Sequence, residues 1–261
     1  MTDSRTGGAA GTILFVVPSL HGGGAEFVAR TWMAWLVSRG YTVSVVTTSM
    51  KATGEYLPQG VTSYSVGRAK GQTAKARAVK DLFDVTGAEV AVGLQSYANL
   101  VLLTAQVMAG AKSPKVIVSE RNLVSLGLRG ADLAHRSKSW MARRLYRRAD
   151  HVIAISHPVA RELVASYGIR GDRMTVVPNP ATAKVAGRER IRREPSETSI
   201  QIALPCRLVT QKRPMLAIDT AAELNRRGIT AEVVSFGGGP LRDELVAAAA
   251  TANVTFIEHN W

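Results

Sequence analysis

Residues 13–46 read ILFVVPSLHGGGAEFVARTWMAWLVSRGYTVSVV: in turn a strand, a glycine loop, a helix and a second strand. Ile13 to Val17 is apolar without interruption, as in a parallel strand covered on both faces. The small-residue loop SLHGGGAE then opens a helix predicted from Ala25 to Ser38. Val28, Trp32, Trp35 and Leu36 share one stripe of that helix, and Gly40 marks its end. Thr42 to Val46 is rich in β-branched residues that suit a pleat.

The same alternation continues outward. Further strands are expected at Val61–Tyr64, Val90–Leu94, Val116–Val118, Val152–Ile155 and Thr175–Val177. Helices are expected at Thr73–Thr86, Asn99–Met108, Leu133–Arg148 and Pro158–Tyr167, the last begun by Ser156 with Pro158 in its first turn. Strands separated by helices imply right-handed crossovers and a doubly wound sheet. After VVPNP (176–180) the segment 181–199 turns polar and charged, ending near RERIRREP, and reads as a connection. A second alternation follows: strand Ile200–Leu204, helix Pro214–Arg227, strand Ala231–Phe236, helix Pro240–Ala250 and strand Val254–Ile257. The expected organisation is thus an N-terminal domain over 1–180, a linker over 181–199 and a partial α/β domain over 200–261. Its core would be thin and its edge strands open.

With 46% apolar residues the 261-residue chain should fold, and a formal charge of +13 suits an anionic partner such as a nucleotide phosphate, an acidic headgroup or nucleic acid. Nucleic acid is the weakest of these, since no zinc-finger spacing, RNP run or helix-turn-helix signal is present. Cys206 is the single cysteine, so no intrachain disulfide can form, and a buried thiol in a reducing compartment is expected. No signal-peptide pattern and no window long enough to span a membrane occurs. HExxH, CxxC, GxSxG, GxGxxG and P-loop patterns are all missing, which argues against the commonest hydrolase, redox and dinucleotide sites.

Chemistry is expected at the carboxyl ends of the strands. Gly22, Gly23 and Gly24 let backbone approach a ligand beside a helix N-terminus, or serve only as a tight turn. His21 beside them could donate to a phosphate or hydroxyl, whereas His157 fits the first turn of a helix. Gly237, Gly238 and Gly239, before Pro240, repeat the arrangement in the second alternation, and two such loops in successive units point to a ligand held between domains. In CRLVTQKRP (206–214), Arg207 follows a strand and Lys212 precedes a helix, a pair able to clamp a diphosphate. Two solvent-facing cations would look the same. Glu120, in SERN (119–122), could relay a proton, steer a sugar hydroxyl or hold Arg121 in place. A basic stretch, Arg129 to Arg148, contains Trp140, Met141 and Leu145 as apolar anchors and fits either a surface helix or an anionic membrane surface.

Taken together, GGGAE, LYRRADHVIAIS, VVPNP, CRLVTQKRP, FGGGP and NVTFI, in this order and spacing, resemble the retaining family 4 glycosyltransferases of GT-B fold. The resemblance implies one complete Rossmann-like domain followed by a partial second one. It also implies transfer of a hexose or N-acetylhexosamine from a UDP- or GDP-type nucleotide sugar to an envelope, capsule or lipid-linked glycan, with retention. Arg207 and Lys212 would hold the donor diphosphate, so that neither metal nor cofactor is needed. Gly237 to Gly239 would lie next to the nucleotide, and Gly22 to Gly24 would face donor phosphates and acceptor. Glu120 stands where many relatives carry a histidine, so its catalytic role is an expectation only. Relatives continue past NVTFIG-like text into an E-x7-E motif, and the chain is expected to be truncated there, with its own activity in doubt. A cytoplasmic location, at the inner face of the membrane, follows from the same likeness. The competing readings are a non-catalytic nucleotide- or glycan-binding module and a GT-B-like nucleotide-sugar epimerase.

Overall fold

The computed structural model describes residues 10–50, 56–127, 133–180, 187 and 199–259. The chain divides into two compact α/β units, Met1–Ala186 and Gly187–Trp261. Most of the expected linker, Arg129, and the side chains of Arg136 and Lys138 in the basic stretch lie outside what is described.

In the first unit the strands are β1 (Thr12–Val17), β2 (Thr42–Thr47), β3 (Val61–Ser65), β4 (Val90–Leu94), β5 (Lys115–Glu120), β6 (His151–Ala154) and β7 (Met174–Val176). They form one parallel sheet in the order β3-β2-β1-β4-β5-β6-β7. The helices are α1 (Gly24–Ser38), α2 (Gln72–Thr86), α3 (Ser96–Ala109), α4 (Val124–Gly127), α5 (Leu133–Tyr146) and α6 (His157–Tyr167). β1 shows why its run is apolar throughout. Ile13, Phe15 and Val17 enter one core with Val28, Ala29 and Met33 of α1, while Leu14 and Val16 enter another built from α2, α3, α5 and α6. Strand order reverses between β1 and β4, which opens a crevice at their carboxyl ends.

One sequence expectation changes here, and one element was not foreseen. Trp35 is 54% exposed with the Arg39 guanidinium 5.0 Å above its ring, and Met33 takes the buried place. The stripe of α1 centres on Val28, Ala29, Trp32, Met33 and Leu36, and Trp35 falls at its margin. The short helix α4 was not legible locally, because Glu162 of α6 caps it from 38 residues away, accepting Val124 N–H at 2.7 Å and Ser125 N–H at 3.2 Å.

The second unit contains β8 (Ser199–Leu204), α7 (Met215–Arg226), β9 (Thr230–Ser235), α8 (Arg242–Thr251) and β10 (Thr255–Glu258), in the parallel order β10-β9-β8. Its core joins Leu208, Ile218, Ala221, Ala231, Val233, Leu245, Ala249 and Val254. On the other face Gln201 of β8 donates to Glu232 of β9, a polar cross-strand pair. Cys206 is half-buried rather than buried.

The stripe of α1 yields a contrast in stability. Met33→Ala should cost about 2–5 kcal/mol, whereas Trp35→Ala should stay within about 0.5 kcal/mol. Urea unfolding of the full chain measures both, and equal losses would contradict the assignment of the buried face.

Candidate functional site

At the carboxyl end of β1, Gly22 and Gly23 take positive φ (82° and 32°), and Gly23 caps α1 with no side-chain bond. The Glu26 carboxylate folds back over the loop, so close that a Cβ on Gly23 would lie 2.1 Å from its Oε2. The same carboxylate accepts a 3.0 Å bond from Gln95 Nε2 at the end of β4, bridging the crevice. Gln95 itself holds φ 76°, a left-handed backbone that a side chain rarely adopts and that concentrates at functional sites. The positive end of α1 therefore already faces a carboxylate, which favours hydroxyl groups over a multiply charged phosphate at this loop. His21 packs edge-on against Tyr56, with ring centroids 5.0 Å apart.

One strand further, Glu120 is 1% exposed. It does not reach for its neighbour Arg121. Ser96 donates to its Oε2 at 2.9 Å, Asn99 Nδ2 to its Oε1 at 2.8 Å, and Tyr146 O–H to the same Oε1 in a short bond. Ser96 and Asn99 sit three apart on one face of α3, and Gly93 makes room for Asn99, since a Cβ there would meet its Oδ1 at 2.5 Å. Burial outweighs these donors and raises the Glu120 pKa from 4.5 to about 7. Arg121 turns the other way, donating to Ser119 Oγ at 3.2 Å and to Asn179 Oδ1, with its guanidinium 5.4 Å over the Trp32 ring. Gln95, Ser96, Tyr97, Glu120, Arg121 and Asn122 line a cavity of about 210 Å³. A larger hollow of about 440 Å³, among Lys115, Arg148, Asp150 and Arg173, opens at the opposite, amino-terminal end of the strands. We place the site at the carboxyl ends, where open parallel sheets receive ligands.

In the second unit the two motif loops are knitted by their backbones. Leu208 N–H donates to Gly238 C=O at 2.9 Å and Leu241 N–H to Leu208 C=O at 3.1 Å. A Cβ on Gly237 would lie 2.3 Å from the Cys206 carbonyl oxygen, and one on Gly239 would lie 2.4 Å from that of Leu208. These glycines serve close approach of two chains of backbone, as their ordinary φ also shows. Arg207 and Lys212 are exposed, and neither makes a side-chain hydrogen bond or ion pair among the described residues. A short 3-10 turn, Thr210–Lys212, ends at Arg213 with φ 48° and fixes their spacing along the loop. Arg242, by contrast, is consumed by Glu258 at 2.5 Å and by Asp243 at 3.0 Å.

Sequence reasoning proposed Glu120, the cations and both glycine loops as site residues. It missed Ser96, Asn99, Tyr146 and the Glu26–Gln95 bridge, whose partners are 21 to 69 residues apart in the chain. On the basic helix, Ala142 and Tyr146 face the core, while Trp140 is 59% exposed with Arg144 at 4.3 Å from its ring.

The Glu120 cluster sets a pH dependence. Between about pH 4.5 and pH 7 the native carboxyl keeps a proton that the unfolded chain has lost, so stability declines as pH rises through that window, by about 3 kcal/mol in all. Glu120→Gln should flatten this slope in denaturation series at pH 5, 6, 7 and 8. An unchanged slope would show that another group is responsible.

Comparison with known proteins completes the picture. No curated protein matches the sequence. Among solved structures, the lipopolysaccharide outer core galactosyltransferase WaaB superposes with a TM-score of 0.69 at 14% identity, over 96% of this chain and 68% of that one. A glycosyltransferase from Rickettsia africae gives 0.62 at 11% identity over 95% and 67%, respectively. A UDP-N-acetylglucosamine 2-epimerase from Rickettsia bellii gives 0.55 at 9% over 95% and 68%. At these identities the likeness is one of fold, and it is the GT-B fold. Residues 23–180, the larger part of the chain, match the glycosyl transferase 4-like domain, and the chain therefore belongs to that family.

Proposed function

We propose that the chain transfers a hexose or N-acetylhexosamine from a UDP- or GDP-linked donor to a hydroxyl of an envelope, capsule or lipid-linked glycan, with retention. The observation that carries this reading is the pair of cations Arg207 and Lys212, without side-chain partners among the described residues, on a loop braced against the Gly237–Gly239 loop at the strand ends of the second unit. As the bond from the anomeric carbon to the diphosphate breaks, negative charge grows on the departing oxygen, and two preplaced cations stabilise it. The acceptor oxygen bonds to the same carbon, and its proton leaves with the diphosphate. In this scheme the first unit receives the acceptor: Glu26 and Gln95 meet hydroxyls, and Glu120, buried and poised near neutrality, acts from behind Ser96.

The exposed Trp140 beside Arg143 and Arg144 on α5 supports a peripheral contact with an anionic membrane surface, where such glycan acceptors reside. No helix among the described residues is long and apolar enough to cross a membrane. A second reading is a nucleotide-sugar epimerase, because an epimerase shares the fold. Incubating the donor alone separates the two: interconversion of free donor sugar without acceptor would favour the epimerase.

For the principal reading, calorimetric titration with UDP and GDP should detect binding of at least one of them. Each charge-assisted contact is worth about 1.5–3 kcal/mol, so replacing both Arg207 and Lys212 by alanine should weaken it at least about 100-fold. Equal affinity in the double variant would overturn the diphosphate assignment.

A further inference from the structure

We infer that Arg121 is a specificity residue for an acceptor that carries a single negative charge next to the sugar ring entering the first unit; this rests on the transferase reading above. Arg121 is only 6% exposed, and what remains open lines the small cavity at the end of β5. A guanidinium so deeply placed ordinarily has a carboxylate to neutralise it. Among the described residues the groups in contact with it are neutral: Ser119 Oγ, the Asn179 amide oxygen and the Trp32 ring. Its Nε has no hydrogen-bond partner among the described residues. The adjacent carboxylate, Glu120, spends its oxygens on Ser96, Asn99 and Tyr146. Burial draws the Arg121 pKa down to about 10 while the nearby Glu120 charge holds it up, so the side chain is charged at neutral pH. Glu120 offsets part of that charge through space but does not bond the guanidinium, so the fork is left for an oxyanion brought by the ligand.

The surroundings narrow what that ligand is. At about 210 Å³ the cavity is smaller than the roughly 300–1,000 Å³ of whole-ligand pockets, so it takes one group of a larger molecule. Ser96, Gln95 and Asn122 offer neutral hydrogen bonds for sugar hydroxyls, and Tyr97, 43% exposed, offers a ring to the apolar side of a pyranose. A diphosphate is a poor match, because one guanidinium balances one charge and the Glu26 carboxylate stands next to Gln95 at the same carboxyl end of the sheet. A lone oxyanion, either a uronate carboxylate or a phosphodiester, fits both the charge and the planar fork of an arginine. Asn179, from the VVPNP run, acquires a purpose in this account: it orients the fork from beyond β7.

The test is a set of titrations on the full chain with methyl β-D-glucuronide, with methyl glucoside bearing a 6-linked methyl phosphodiester, and with neutral methyl β-D-glucoside. At least one anionic probe should bind 10-fold or more tightly than the neutral one, and which of them does so identifies the source of the charge. Arg121→Gln should bring the anion down to the level of the neutral glucoside, and Arg121→Lys should retain part of the preference, with UDP and GDP affinity unchanged in both. Thermal melts check that the variants are folded, and the comparison of probes on the unaltered protein stands without them. If the unaltered protein shows no preference for, or no binding of, either anion, the inference is wrong. It is equally wrong if the preference survives Arg121→Gln. Absence of UDP and GDP binding alongside an intact anion preference would instead count against the transferase reading alone.

Discussion

A central parallel strand has no face to spare: its side chains alternate between two sides that both must be dry. β1 meets this constraint by sending Ile13, Phe15 and Val17 into the α1 layer and Leu14 and Val16 into the layer of α2, α3, α5 and α6. The crevice of the first unit follows from that placement. With β2 on one side and β4 on the other, strand order reverses beside β1, and the loops after β1 and β4 diverge instead of packing over one another. Glu26 and Gln95 meet across the gap, and the Glu120 and Arg121 side chains stand one strand further along.

How much of this could be read from sequence depended on the distance between partners. Strands and helices were legible because apolar runs, β-branched stretches and glycine stops are local signals. The boundaries of β1, β2, β4 and β8 agree with those signals to within a residue. Interactions carried by the tertiary fold were not legible. The first turn of α4 depends on a carboxylate from α6, and the proton affinity of Glu120 depends on burial by the fold, opposed in part by a tyrosine 26 positions later. Trp35 illustrates a subtler limit. Its spacing from Val28 fits the helical period, yet the buried stripe is centred elsewhere, so period alone did not decide which edge faces water.

The two glycine loops looked alike in the sequence and differ in physical purpose. Gly22 and Gly23 adopt backbone angles that side chains avoid, and so shape the turn into α1. Gly237 and Gly239 have ordinary angles but lie against the carbonyls of Cys206 and Leu208, where a single methyl would not fit. In the second unit, glycine is what allows the cation-bearing loop to rest on its neighbour, and the cations are held out toward solvent as a result. Basic residues that look similar on paper divide in the same way. Arg242 is already neutralised by Glu258, whereas Arg207 and Lys212 are not engaged among the described residues.

Helix α5 joins two environments. One turn presents Trp140 and Arg144 to the outside, and its last residue, Tyr146, places its hydroxyl against the Glu120 carboxyl. A helix is stiff over such a span, so whatever leans on the tryptophan also leans on the phenol. Tilting this rod would lengthen a hydrogen bond to a carboxyl that titrates near neutrality, and the ionisation of the interior would then register what the exterior touches.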